Sequence, residues 1–182
     1  MSVIAFKGFH ADMTCRGYKF DLDGWNVEKK AGCVQCGFHA AENPLDCLHY
    51  YPDVKNSIYC AVECAGDVDE DACDSKIACT EMRIIKALSM EEFVSHAMLY
   101  VYKHPECRRD ARIHKNEATA RDGFCIAEGE DPRCRGEIGD VLGYIIRRGK
   151  KVVGLFCLTV DGVNIEPGKF YALSDIRGLE EA

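Results

Sequence analysis

Residues 37–51 read GFHAAENPLDCLHYY, and how this stretch divides into strand and helix decides how the rest of the chain is read. Phe38 and His39 fall in a short strand or loop. Asn43 then offers a side-chain oxygen to cap a helix, Pro44 suits the first helical position with its fixed φ, and Leu45, Leu48 and Tyr51 recur on one helical face. Pro52 ends the helix. A polar ring is thereby set beside a helix start.

Upstream, residues 3–9 form an apolar run that reads as a first strand. Residues 15–21 read as a second, with Tyr18 and Phe20 on one face, and residues 23–32 are turn-rich around the single tryptophan, Trp25. Downstream, residues 57–66 alternate, Ile58, Cys60, Val62 and Cys64 facing one way and Tyr59, Ala61 and Glu63 the other, as in a half-buried strand. An acidic loop over 67–74 leads to a further strand over 76–88. Ser89 and Glu92 then form a capping box that opens a helix with Phe93, Val94, Ala97, Met98 and Val101 on its inner face.

The composition shifts after that helix. Lys103, Arg108, Arg109, Arg112, Lys115 and Arg121 crowd a stretch with few apolar residues, which reads as a basic linker. Strand-like segments follow at 124–127, 141–148, 151–160, 163–165 and 169–173, with hairpin signals at Gly149-Lys150 and Asp161-Gly162. The expected fold is α+β: a mixed or antiparallel sheet with two helices over 1–103, the linker over 104–123, and a small β-meander over 124–182.

The chain of 182 residues carries a net charge of -7, which argues against broad nucleic-acid binding because an acidic surface repels phosphates. Its start, MSVIAFKGF, lacks a charged segment followed by a long apolar one, and no later run is long enough to cross a bilayer, so a soluble chain without membrane partners is expected. Twelve cysteines in such a setting read as reduced thiols, many of them buried, as for Cys60, Cys64, Cys79 and Cys157 in apolar runs.

Cys33, Cys36, His39, Cys47 and His49 have ligand chemistry for zinc, but only one Cys-x-x-Cys pair occurs, and no metal is expected. Asp67, Asp69 and Asp71 imitate a calcium loop, which fails where Ala72 and Ala78 replace the required glycine and glutamate. Residues 143–150 match a phosphate loop only loosely, and Cys125 and Cys157 lie in apolar surroundings that disfavour a nucleophile. What remains is a cluster in the N-terminal half: Lys7, Arg16, Tyr18, Phe38, His39, Asn43 and Tyr50. Cations, an imidazole, aromatic faces and a helix start are the groups that hold a nucleotide. Each of these residues singly is also an ordinary core or surface residue.

AFKGF at residues 5–9, CRGYKF at 15–20, GFHAAENPLD at 37–46 and the DSKIA run from Asp74 together resemble an uncharacterised domain family found mainly in bacteriophages and prophages. The resemblance covers residues 3–102 and implies viral origin and the cytoplasm of an infected host cell, and it brings no established activity. The order of strand with Arg-Gly, then Gly-Phe-His, then helix and alternating strands is also distantly similar to ADP-ribosyltransferase-like folds. That likeness would have Arg16 or His39 orient NAD and Glu81, as the catalytic glutamate, polarise the ribose. Ala40-Ala41 stands where a Ser-Thr-Ser type motif is common in that fold, and Glu81 lies in Thr-Glu-Met-Arg rather than a paired glutamate motif. Three functions stay open: a phage accessory protein that binds a small nucleotide-like or ADP-ribose-like ligand, with a role against host defence signalling; an ADP-ribosyltransferase-like enzyme; and a structural or interaction module that self-associates as a homo-oligomer.

Overall fold

In the computed structural model, which describes residues 2–70, 75–107 and 110–176, the chain divides into two units, Met1–Ser89 and Met90–Ala182. Strand dominates both, with one α-helix and short 3-10 turns among the described residues, so the class is α+β.

The first unit contains β1 (Val3–His10), β2 (Thr14–Cys15), β3 (Tyr18–Lys19), β4 (Trp25–Val27), β5 (Phe38–Ala41), β6 (Ser57–Glu70) and β7 (Lys76–Ala87). β1 runs antiparallel to β6 over its whole length and touches β5 on its other edge through the pair Phe6 and Ala41. β7 pairs with β6 on one edge and with β5 and then β4 on the other, all antiparallel. The circuit β1, β6, β7, β5 and back to β1 closes the sheet on itself, which satisfies strand edges that would otherwise be left unpaired. Side chains alternate across the sheet, so Ala5 and Phe9 point inward to meet Phe38, Cys60, Val62, Cys64, Ile77, Cys79 and Met82, with Phe20 added from the loop after β3. Burying one side chain such as Phe9 contributes roughly 1.5–3 kcal/mol.

Two expectations in this unit change. The strand expected over 15–21 is a tight hairpin, in which Cys15 pairs with Tyr18 across Arg16 and Gly17. Both turn residues have positive φ, 49° and 81°, the geometry that matches the twist of a two-residue hairpin. The expected helix after Asn43 is a 3-10 helix, Pro44–His49, with Leu45, Cys47 and Leu48 buried. Its short apolar face is too brief to require α-helical spacing. Asp67 and Asp69 of the calcium-loop imitation lie on β6, whereas Asp71, Ala72 and Asp74 lie outside the described residues.

The second unit opens with α1 (Met90–Lys103), whose buried face is the expected Phe93, Val94, Ala97, Met98 and Val101. The helix, expected within 1–103, belongs to this unit, where it packs on the sheet formed by β8 (Ile113–Thr119), β9 (Phe124–Arg135), β10 (Val141–Arg148) and β11 (Lys151–Thr159). Gly143 of β10 lets it approach closely: a Cβ there would stand 2.9 Å from Val94. The expected linker over 104–123 thus contains β8, and Arg108 and Arg109 of its basic cluster lie outside the described residues. In β8 only Ile113 and Ala118 are buried, so most of the strand is polar and shows no alternation to read.

The C-terminal sheet is not a simple meander. β10 and β11 form the hairpin expected at Gly149-Lys150, but β9 runs parallel to both β10 and β8. Parallel neighbours usually need a crossover of a dozen or more residues. Here β8 meets β9 in two separate segments, around residues 126–128 and 133–135, with a shift between them, so the chain coils rather than doubling back. Asn116, Asp122 and Gly123 take positive φ at the bends. Asp161-Gly162 makes no hairpin. Asp161 Oδ1 instead accepts the backbone N–H groups of Val163, Asn164 and Ile165.

Candidate functional site

The first unit holds a half-open cavity of about 590 Å³ between β1, β5, the β2–β3 hairpin, the turn before β5 and the 3-10 helix. Lys7, Arg16, Tyr18, Phe38, His39 and Tyr50 all line it, while Asn43 does not. Asn43 caps the 3-10 helix, its side-chain oxygen accepting from the Leu45 N–H at 3.2 Å. Glu81 is also absent from the lining and lies on β7 opposite Val27 and Ala65, its side chain beside Gly66. The cavity therefore brings Arg16 to His39 without the glutamate that the ADP-ribosyltransferase-like reading needs.

Lys7 is the charged member of the inward-facing series Ala5, Lys7 and Phe9 on β1. It is 5% exposed. Its Nζ donates to the His39 carbonyl at 2.7 Å and stands 5.5 Å from the ring centroids of both Phe9 and Phe20. Carbonyl and ring faces stabilise an ammonium, but neither carries the full negative charge that usually accompanies a buried cation. No carboxylate forms an ion pair with it among the described residues.

His39 presents its ring on the other face of β5. Its Nε2 accepts the Val34 N–H at 3.0 Å, which assigns the proton to Nδ1 beside the Gly37 backbone. Burial, with Lys7 and Arg16 nearby, holds the imidazole below its ordinary 6.5, so at neutral pH it is uncharged and both ring nitrogens are engaged. Val34 accepts strain for this bond, because a β-branched residue at φ 68° is far from its preferred region.

Other groups at the cavity were not singled out in the sequence. Lys76, at the start of β7, sets its Nζ 4.9 Å from the Tyr50 ring centroid. Asp46 accepts from the Ser75 hydroxyl at 2.5 Å, and Glu28 also lines the space. Burial pushes the Cys47 thiol up to about 12 and raises the Tyr51 phenol, to which Cys15 adds a hydrogen bond. Tyr51 lies flat against β1, where a Cβ on Gly8 would come within 2.5 Å of its ring. Asp46 in a first helical turn and Lys76 after an acidic loop are both ordinary surface positions by pattern. Only the closure of the sheet carries them to one space.

The other sequence candidates disperse. Cys33, Cys36, His39, Cys47 and His49 do not converge, and among the described residues no three His, Cys, Asp or Glu side chains are placed to hold a metal. No disulfide joins the described cysteines, of which Cys47, Cys60, Cys64, Cys79, Cys125 and Cys134 are buried. Residues 143–150 run along β10 into the hairpin, and Arg112 of the basic cluster pairs with Asp110 at 3.2 Å. No helix among the described residues is long and apolar enough to cross a membrane.

A family profile described as "Domain of unknown function (DUF7666)" matches residues 3–96, just over half of the chain, covering the closed sheet and the first part of α1. None of the curated proteins and none of the solved structures matches.

Proposed function

Because the chain belongs to the DUF7666 family, a membership that carries no activity with it, we propose its function from the cavity: the first unit binds a small nucleotide-like or ADP-ribose-like ligand and does not turn it over. Lys7 is the observation that carries this reading. An ammonium buried against a carbonyl and two ring faces, at the wall of a space of about 590 Å³, gains a counter-charge when a phosphate enters. Arg16 and Lys76 extend the positive lining, and Tyr18, Phe38 and Tyr50 supply faces for a base. The volume falls in the range of about 300–1,000 Å³ typical of small-molecule sites.

Binding is favoured over catalysis by how the reactive groups are committed. His39 is neutral with both nitrogens engaged, Cys47 is protonated far above neutral pH, and Glu81 stands off the cavity. The resemblance to phage and prophage domains fits an accessory protein that sequesters a host signalling nucleotide in the infected cell.

Thermal denaturation with NAD, ADP-ribose and cyclic nucleotides tests the reading. A ligand at about 100 times its Kd stabilises the native state by about 2.7 kcal/mol, a shift that Lys7→Met and Arg16→Ala should each reduce. Absence of a shift with every one of these compounds would leave the structural module as the better reading. Release of nicotinamide from NAD would overturn the claim that the ligand is not turned over.

A further inference from the structure

We propose that Cys33 and Cys36 form a reversible disulfide, a modification site in the turn at the rim of the cavity and one that does not depend on what the cavity binds. The turn is closed from both sides: Gly32 N–H donates to the Cys36 carbonyl at 3.1 Å, and the N–H groups of Cys36 and Gln35 both donate to the Gly32 carbonyl at 3.0 Å. A pair that exchanges both bonds holds its Cα atoms about 5.5 Å apart, and Cys33 is the residue next to Gly32. The Cys36 Sγ folds back over the start of the turn, standing 3.5 Å from where a Cβ on Gly32 would lie. The two cysteines thus stand three residues apart in one closed turn, the setting in which the separation of about 4.4–6.8 Å between Cα atoms that a disulfide spans is to be sought.

The turn keeps this shape for reasons unrelated to the sulfurs. Asp69 Oδ2 accepts the Cys33 N–H at 2.7 Å, and His39 Nε2 accepts the Val34 N–H, holding Val34 at positive φ between the two cysteines. In the dithiol the Cys33 thiol stands 3.2 Å from the Asp69 carbonyl and 3.7 Å from that of Lys76, so bond formation needs this side chain to turn away from both. Access separates this pair from the other close thiols. Cys36 is exposed and Cys33 half-exposed, whereas Cys64 with Cys79, and Cys125 with Cys134, are contacting pairs sealed inside their sheets.

The chemistry is thiol–disulfide exchange with a small disulfide, here oxidised glutathione. The exposed Cys36 loses its proton to solvent and its thiolate attacks one glutathione sulfur, forming a mixed disulfide and expelling a glutathione thiolate. Cys33, deprotonated in turn, attacks the Cys36 sulfur and expels the second. Two electrons pass from the protein to glutathione disulfide, and the two protons complete two glutathione thiols.

The test incubates the folded full chain with oxidised glutathione, quenches in acid, alkylates and maps peptides by mass. The peptide spanning Cys33 and Cys36 should be lighter by two hydrogens, refuse the alkylating agent, and return to the dithiol with dithiothreitol. Cys33→Ala should lose this product entirely and leave glutathione on Cys36. Cys36→Ser, a second variant at the more exposed position, should lose it too. Alkylation of both cysteines after exposure, a Cys36–glutathione adduct that persists beside a free Cys33 in the unsubstituted chain, or a disulfide that appears only in denaturant would each overturn the proposal.

Discussion

The two sheets bury charge in different ways. In the second unit Glu128 is buried on β9, and Arg147 on β10 meets it at 2.7 Å, so the charge has its counter-charge inside the protein. In the closed sheet of the first unit Lys7 is buried as deeply and rests on a carbonyl and two rings. A paired charge can be purely architectural, because the protein alone satisfies it. A buried cation with no carboxylate partner at a cavity wall is stabilised further by something from outside. On the proposed reading, that contrast makes the first unit the binding part and the second a scaffold.

The largest effects should come from the two interiors and should be alike. Phe9→Ala and Tyr144→Ala each empty a fully buried site and should cost about 3–5 kcal/mol in denaturant titration, the latter also losing the Tyr144 hydroxyl bond to the Tyr171 carbonyl. If one site tolerated the change, it would not be the packed core described above. Arg147→Met should come next, at about 2–3 kcal/mol, because it removes the counter-charge that meets Glu128 at 2.7 Å. Lys7→Met should cost about 1 kcal/mol or less, since it leaves only the His39 carbonyl without a donor, yet should weaken phosphate-bearing ligands at least about tenfold. Equal destabilisation by Arg147→Met and Lys7→Met, with ligand affinity unchanged in the second, would dissolve the distinction between the units.

The smallest effect is one of pH. The folded-state pKa of His39 is depressed, so the unfolded chain binds this proton more readily, and the stability contribution is present above the unfolded value of 6.5. It is lost as the pH falls from 6.5 through the lower folded value. Stability measured over that window should decline on acidification, and His39→Gln, whose side-chain oxygen can still accept from Val34, should flatten the slope. An unchanged slope would show that His39 does not differ between the folded and unfolded states.

Much of the site was legible because local rules and tertiary contacts agree there. The alternation of Ile58, Cys60, Val62 and Cys64 became the inner face of β6, and the Asn43-Pro44 signal became a helical cap. Asn43 lies off the cavity lining, its oxygen engaged by the Leu45 N–H, and a capping side chain and a ligand-binding side chain have the same chemistry in a sequence. β8 was missed since it buries only Ile113 and Ala118, and a strand held by neighbours on a coil needs no alternation of its own. Lys76 and Asp46 carried no signal at all, because what makes them part of the cavity is the pairing of β7 with β5 and the contact of Ser75 with Asp46.

The sequence by itself determined the α+β class, the inner face of α1, the strand faces of the first unit and the residue types gathered along GFHAAENPLDCLHYY, since periodicity and capping act between residues a few positions apart. Only the tertiary structure decided that β1 closes against β5, that β9 lies parallel to its neighbours, and that Lys7 is buried against a carbonyl and two rings. Register and closure depend on which distant segments exchange hydrogen bonds, and that choice is made by the whole interior at once.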